Sequence, residues 1–83
     1  MQREEIAELA VQKIADVLGV DATEVTEKTD LRRDFEVDSL ELMEMGARLE
    51  QAFGIRLQVE DLVKMDTVGD AVTLLEIRLG VPA

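Results

Sequence analysis

The chain contains no cysteine, histidine, tyrosine or tryptophan, and its only aromatic residues are Phe35 and Phe53. Without cysteine there is no disulfide and no thiolate metal ligand, and without histidine zinc lacks its usual nitrogen ligands, so we expect no metal site. A serine or threonine hydroxyl is a weak nucleophile unless an adjacent base activates it, and the commonest such base is missing. These absences disfavour an enzyme. An acid–base site made of carboxylates alone would need a preorganised pocket that so short a chain is poorly able to build.

Positive charge is scarce, because nine Lys and Arg face 19 Asp and Glu, for a formal net charge of −10. Proteins bind nucleic-acid phosphates through Lys and Arg, so nucleic acid is a poor partner for this chain, and an anionic membrane surface is equally poor. A strong negative charge instead steers a protein toward basic protein surfaces. No run approaches the 18 apolar residues of a membrane span, and residues 1–5 lack the pattern of a signal peptide. The sequence therefore predicts a cytoplasmic monomer.

The 83 residues are 47% hydrophobic, which indicates one small domain over residues 1–83 with an aliphatic core. Apolar residues from Arg3 to Leu18 recur at three- and four-residue spacing, which predicts an amphipathic helix that ends at Gly19. From Asp21 to Glu36 no period is sustained. Because Thr and Asp in this segment favour turns and caps, we expect a long loop that delivers the chain to Ser39.

The second half of the chain contains residue patterns that mark where helices begin and end. Asp38, with Glu41 three residues on, has the pattern of a capping box, so a helix is expected to run to Phe53. Glu60 to Lys64 is expected to form one helical turn. Thr67 is expected to cap a last helix, which ends at Gly80 and Pro82, and Asp70 three residues on completes a second capping box. The predicted fold class is all-α, a four-helix bundle with three longer helices and one short third helix.

Ser39 is the only serine in the chain and stands at the first helical position after Asp38. Free backbone N–H groups and the helix dipole at that end favour a negatively charged phosphate. Ser39 is therefore a candidate attachment point for a phosphate-linked group. The alternative is that the serine only helps to cap the helix.

A helical wheel divides the second predicted helix into two faces. With about 100° per residue, one set of residues falls within about 60° of Leu42 and is predicted to face the core. This set comprises Leu42, Met45, Gly46, Leu49 and Phe53. The outer set comprises Leu40, Met43 and Ala47, accompanied by Glu41, Glu44 and Glu50. The outer apolar residues are either ordinary exposed side chains or a docking surface whose carboxylates meet basic partner residues.

Gly46 lies on the core side in mid-helix, where glycine is less favourable than alanine. One interpretation is the close approach of a neighbouring helix. The other is spare room for an apolar guest, since Met45 and Met65 are adaptable side chains.

The motif Asp38-Ser39-Leu40, followed by a capped helix that ends in Phe53-Gly54-Ile55, resembles the acyl carrier proteins of fatty acid and polyketide synthesis. Across about Ile6 to Leu79 the chain is similar to them in its first helix, long loop and last helix. The resemblance implies that Ser39 carries 4′-phosphopantetheine, which a Mg²⁺-dependent phosphopantetheinyl transferase takes from coenzyme A. The terminal thiol of that arm would hold acyl groups as thioesters.

The resemblance implies that ketosynthase, acyltransferase and other synthase enzymes bind through Asp38, Leu40, Met43, Glu44, Ala47 and Glu50. Glu36 and Glu41 are further candidates for partner binding, as carboxylates beside the attachment site and on the predicted docking surface. The candidates for contact with an acyl chain come from the core face of the wheel and from the adaptable methionines, and they are Leu42, Met45, Gly46, Leu49 and Met65.

The chain departs from the family pattern in two places. Many members have glycine two residues before the aspartate, where this chain has Glu36, and the segment from Leu57 to Asp61 lacks a common proline. The Ala47-Arg48-Leu49-Glu50 segment is similar to discrete carriers of type II polyketide synthases, although fatty acid carriers share most of it. A peptidyl or aminoacyl carrier is an alternative, but such carriers usually have Gly-Gly before the motif.

An alternative from a different functional class is an unmodified acidic helical interaction module, or a weak sensor of divalent cations. The acidic loop from Asp21 to Asp30 lacks the spacing and the central glycine of an EF-hand. We nevertheless expect added Mg²⁺ to relieve some charge repulsion.

Overall fold

The structure, a computed structural model, describes residues 1–80, so Pro82 and its expected role in ending the last helix lie outside the described residues. In these residues there are five α-helices and one short 3₁₀ helix, with no strand. The helices are α1 (Arg3–Leu18), α2 (Leu31–Phe35), α3 (Ser39–Phe53), α4 (Val59–Val63) and α5 (Val68–Leu79), and the 3₁₀ helix is Ala22–Glu24.

The predicted all-α fold with three longer helices is confirmed. The short helix α4 begins and ends one residue before the predicted turn from Glu60 to Lys64. The expectation of a continuous loop from Asp21 to Glu36 is wrong, because α2 and the 3₁₀ helix both lie within it. These elements are three and five residues long, too short to show a helical period, and each begins at an aspartate cap.

Both predicted capping boxes are present. At the start of α5, the Thr67 hydroxyl accepts a hydrogen bond from the Asp70 N–H, and the Asp70 carboxylate accepts one from the Thr67 N–H, each at 3.1 Å. The box at Asp38 starts α3 and is described with the site. Because these caps satisfy N–H groups that have no partner inside the helix, they fix where each helix begins.

The core lies between α1, α3 and α5, with α1 packed against the other two. It is aliphatic, as the composition predicted, and its largest fully buried side chains come from all three helices, from α2 and from the segment between α4 and α5. They are Ile6, Ile14, Leu31, Met45, Leu49, Met65, Val68, Val72 and Leu75.

The loop before Ser39 is fastened to the start of α5 by backbone hydrogen bonds. The Leu31 N–H donates to the Asp66 carbonyl (2.9 Å), and the Gly69 N–H donates to the Glu27 carbonyl (2.8 Å). An isolated antiparallel bridge joins Asp30 and Thr67. The segment that leads to Ser39 is therefore held by the main chain of a distant element, and not only by its own turns.

Candidate functional site

Ser39 is exposed as the first residue of α3, and Asp38 immediately before it caps the helix. The Glu41 N–H donates to Asp38 Oδ1 (2.8 Å), and the Asp38 N–H donates to Glu41 Oε1 (3.2 Å). Within residues 1–80 the Ser39 hydroxyl has no hydrogen-bond partner in the protein, whereas the cap is complete without it. This geometry disfavours a serine that serves only as a cap and leaves its oxygen free to react.

The turn that precedes Ser39 has a fixed backbone. Glu36, directly after α2, adopts the left-handed conformation with φ 52° and ψ 41°. The Glu36 N–H donates to the Arg32 carbonyl (3.0 Å), and the Val37 N–H donates to the Leu31 carbonyl (3.2 Å). Leu31 is fully buried and Val37 packs against the core, so both ends of the turn are anchored. The turn therefore sets the position from which α3 starts.

On the outer face of α3, Leu40 is 79% exposed, and Ala47 and Glu44 are exposed as the wheel predicted. Met43 differs, because it is half-buried and packs against the core. It lies at the edge of the core face, at about 100° from Leu42, and its long flexible side chain can turn back toward apolar neighbours.

Glu50 has a structural contact that the sequence pattern did not reveal. Its Oε2 accepts a hydrogen bond from the Leu57 N–H at 2.8 Å, which ties α3 to the connector before α4. Glu41 is likewise engaged in the capping box. Of the carboxylates predicted to meet partners, Glu44 has only a long contact of 3.5 Å with Arg48, and the Glu36 side chain has no hydrogen bond or ion pair within residues 1–80.

The five acyl-pocket candidates, Leu42, Met45, Gly46, Leu49 and Met65, are all buried. Gly46 faces the Leu62 side chain of α4, a contact that the sequence pattern does not reveal. This contact supports the interpretation that a neighbouring helix approaches closely. A short helix of five residues therefore covers the glycine.

Two carboxyl groups in the second half of the chain, Asp61 and Asp70, have lowered pKa values because they accept hydrogen bonds. Arg78 of α5 donates to both oxygens of Asp61 in α4 at 2.8 Å, and this pairing, with the Gln58 N–H, lowers the pKa of Asp61. Backbone N–H groups of Thr67 and Asp66 lower the pKa of Asp70. Both groups are carboxylates at neutral pH. The Asp61–Arg78 pair joins α4 to α5, whereas the contacts of Asp70 cap the start of α5.

Within residues 1–80, no group of three or more acidic side chains is arranged to hold a metal ion. The weak stabilisation by Mg²⁺ suggested by the sequence stays a prediction. In the same part of the chain, no helix combines the length and apolar character needed to span a membrane.

Residues 8–75 match the family model described as "Phosphopantetheine attachment site". The chain is 46% identical over 72 residues to an acyl carrier protein of Rubrobacter xylanophilus, covering 87% of this chain and 89% of that protein. It is 41% identical over 78 residues to one from Thermotoga maritima, covering 94% and 96% of the two chains. A solved acyl carrier protein from Enterococcus faecalis superimposes with a TM-score of 0.75 at 32% identity, covering 94% of this chain and 99% of that one.

The fold and these similarities define a carrier for a covalently attached group, and not an enzyme. The chain belongs to the acyl carrier protein family, whose prosthetic group is 4′-phosphopantetheine. The exposed, unengaged hydroxyl at the start of α3 fits the attachment of that group, because nothing in residues 1–80 occupies or covers it.

Proposed function

We propose that Ser39 is the residue that carries 4′-phosphopantetheine. The observation that carries this assignment is that the only serine of the chain is exposed, free of hydrogen bonds within residues 1–80, and first in α3. Free N–H groups and the dipole at a helix start favour the charge of a phosphodiester there. When bound, the group supplies a thiol that holds acyl chains as thioesters, which the polypeptide, lacking cysteine, has no means to do.

In this proposal the residues around Ser39 hold it in place and do not react. Asp38 and Glu41 close the first turn of α3, and the Glu36 turn sets the entry of the chain. Since no base within residues 1–80 accepts a hydrogen bond from the Ser39 hydroxyl, its activation is left to the transferase that modifies it. The chain contributes an accessible oxygen in a defined position.

Family membership implies that a phosphopantetheinyl transferase and synthase enzymes bind this protein. We propose that ketosynthase, acyltransferase and related enzymes dock through basic surfaces on the outer face of α3. Leu40 and Ala47 offer apolar contact and Glu44 offers charge, whereas Met43, Glu41 and Glu50 contribute through the parts not engaged in packing or capping. The cytoplasmic location and the monomeric state expected from the sequence are part of the same proposal.

We propose further that an acyl chain, if it enters the bundle, reaches the buried set at Leu42, Met45, Gly46, Leu49 and Met65 by displacing Leu62. Leu62 lies on a short helix, so its movement disturbs less structure than movement of α1 or α5 would. Methionine side chains adapt to an irregular guest more readily than branched ones.

Intact mass after incubation with coenzyme A and a phosphopantetheinyl transferase tests the assignment of Ser39. The wild type should gain the mass of one phosphopantetheine, and Ser39→Ala should gain none. Thr23→Ala is the matched control, because Thr23 is another exposed hydroxyl near a helix start, and this variant should be modified like the wild type. A wild type that gains no mass would contradict the proposal and favour an unmodified interaction module.

Trapping with a reactive pantetheine analogue on Ser39 identifies the pathway. Crosslinking to a ketosynthase of the fatty acid or of the polyketide type would identify the synthase to which this carrier delivers acyl groups. Capture of condensation enzymes that join amino acids would favour the alternative of a peptidyl carrier.

A further inference from the structure

Four of the five α-helices within residues 1–80 are followed by a residue in the left-handed conformation, whereas α4 is followed by Lys64 in the right-handed conformation. The residues that follow α1, α3 and α5 all adopt the left-handed conformation and are Gly19, Gly54 and Gly80. The residue that follows α2 adopts it as well, but there it is Glu36, the only non-glycine residue with positive φ within residues 1–80. Glycine takes this conformation without steric conflict, whereas a side chain with a Cβ is strained in it.

The surrounding structure forces this conformation on whatever residue stands at position 36. The Glu36 and Val37 N–H groups both return to carbonyls of α2, and Leu31 and Val37 anchor the turn in the core. Strain of this kind persists where neighbouring contacts determine the backbone, and it occurs often at functional sites. A glycine at position 36 would relieve the strain and keep every one of these contacts, because none of them involves the Glu36 side chain.

The strained residue places a free carboxylate near the attachment point. Glu36 is exposed and three residues from Ser39, so their Cα atoms lie within about 11 Å even in a fully extended chain. Two other carboxylates near Ser39, those of Asp38 and Glu41, each accept a hydrogen bond from the other residue's backbone N–H group. Glu36 has no hydrogen bond or ion pair in the part of the chain that the structure describes, so its charge is available to an approaching protein.

We infer that Glu36 is a specificity-determining residue, whose strained but unpaired carboxylate is recognised by a basic side chain of the phosphopantetheinyl transferase as it approaches Ser39. The inference rests on the proposed attachment at Ser39. The transferase is the partner that must bring its own reacting groups to the Ser39 oxygen, so its surface passes within reach of Glu36. A charge at the rim of such an interface affects mainly the rate of encounter and the affinity, and it affects the chemical step less.

Steady-state kinetics of phosphopantetheine transfer test the inference with two variants that separate charge from strain. Glu36→Gln keeps the side-chain shape and the left-handed strain but removes the charge. It should lower kcat/KM by about 3- to 10-fold, mainly through a higher KM, and salt should reduce this difference because it screens exposed charges. Glu36→Gly should show a similar loss in kcat/KM, yet unfold at a higher urea concentration than the wild type.

Glu8→Gln is the control, because it removes the same charge from an exposed position on α1. It should leave kcat/KM within about 1.5-fold of the wild type if only local charge matters. The inference is overturned if Glu36→Gln behaves as the wild type, if only Glu36→Gly is impaired, or if Glu8→Gln is impaired as much as Glu36→Gln. Modification of the wild type at Ser39 with unimpaired Glu36 variants refutes this inference alone, whereas an unmodified wild type refutes the attachment proposal and this inference with it.

Discussion

Leu62 of α4 lies directly over Gly46 of α3, so that a Cβ added to Gly46 would be 2.6 Å from Leu62 Cδ1 and 2.9 Å from Leu62 Cδ2. Both residues are buried. The absence of a side chain at Gly46 is thus what allows α4 to pack closely on α3. The same contact makes Leu62 the side chain that an entering acyl chain would have to move.

We expect Gly46→Ala to destabilise the protein by about 0.5–2 kcal/mol. Overpacking of a core costs about 1–3 kcal/mol, which exceeds the gain of up to about 1 kcal/mol from replacing glycine in a helix. In a Leu62→Ala background the clash is absent, so Gly46→Ala should be neutral or stabilising there. Urea unfolding of the four proteins in this cycle measures the coupling. Equal cost in both backgrounds would show that Leu62 is not the obstacle.

Asp38→Ala should destabilise the protein by about 1 kcal/mol, because it leaves the first turn of α3 without its cap. Asp38→Asn is the matched control, since an amide oxygen can still accept the bond from the Glu41 N–H that Asp38 Oδ1 now accepts at 2.8 Å. The asparagine variant should therefore lose much less stability. Thermal unfolding of the three proteins checks this, and equal losses in both variants would assign the effect to charge and not to capping.

Arg3 links α1 to the loop and to α5, because its guanidinium donates to Glu27 (2.6 Å) and Thr73 (3.1 Å) and also pairs with Glu76. Arg3→Gln should destabilise the protein by about 1 kcal/mol in low salt and by less in high salt, since the group is partly exposed and screened. Arg33→Gln removes the same charge from a side chain that is 83% exposed, at 3.7 Å from Asp30, and should have almost no effect. The urea midpoints of the wild type and both variants at two salt concentrations test this prediction. Similar losses of stability in both variants would contradict it.

The pH dependence of stability should show the contribution of Asp70. The Thr67 and Asp66 N–H groups lower its pKa in the folded protein from the ordinary value of 3.8. A group whose pKa is lowered by folding stabilises the protein fully above its unfolded pKa, and this stabilisation is lost as the pH falls through the folded pKa. The advantage of the wild type over Asp70→Asn should therefore be constant above about pH 5 and shrink below about pH 4.

Asp16→Asn is the control for this pH series, because Asp16 is an exposed carboxylate on α1 without a hydrogen bond within residues 1–80. The Asp16→Asn variant measures the effect of removing one exposed carboxylate that makes no such contact. Urea midpoints between pH 3 and 7 provide the measurement. An advantage over Asp70→Asn that persists unchanged to pH 3 would contradict the assigned pKa shift.

Local sequence patterns determined most of the helices. The spacing of apolar residues in α1 predicted a helix from Arg3 to Leu18, and the capping boxes at Asp38 and Thr67 predicted the starts of α3 and α5. Such signals act between residues three or four apart, so they can be recognised without knowledge of the fold. The prominence of Ser39 is also a property of the sequence, because no other serine exists.

Contacts between distant residues decided what the sequence left open. Met43 is half-buried, Glu50 binds the Leu57 N–H, Leu62 covers Gly46, and the loop before Ser39 is fixed to α5 by hydrogen bonds. The left-handed backbone at Glu36 belongs to this group, because core anchoring on both sides imposes it against the preference of the residue. Local propensity determines to a large extent which segments form helices. Which side chains remain free for partners depends on packing energies, and these exist only in the assembled fold.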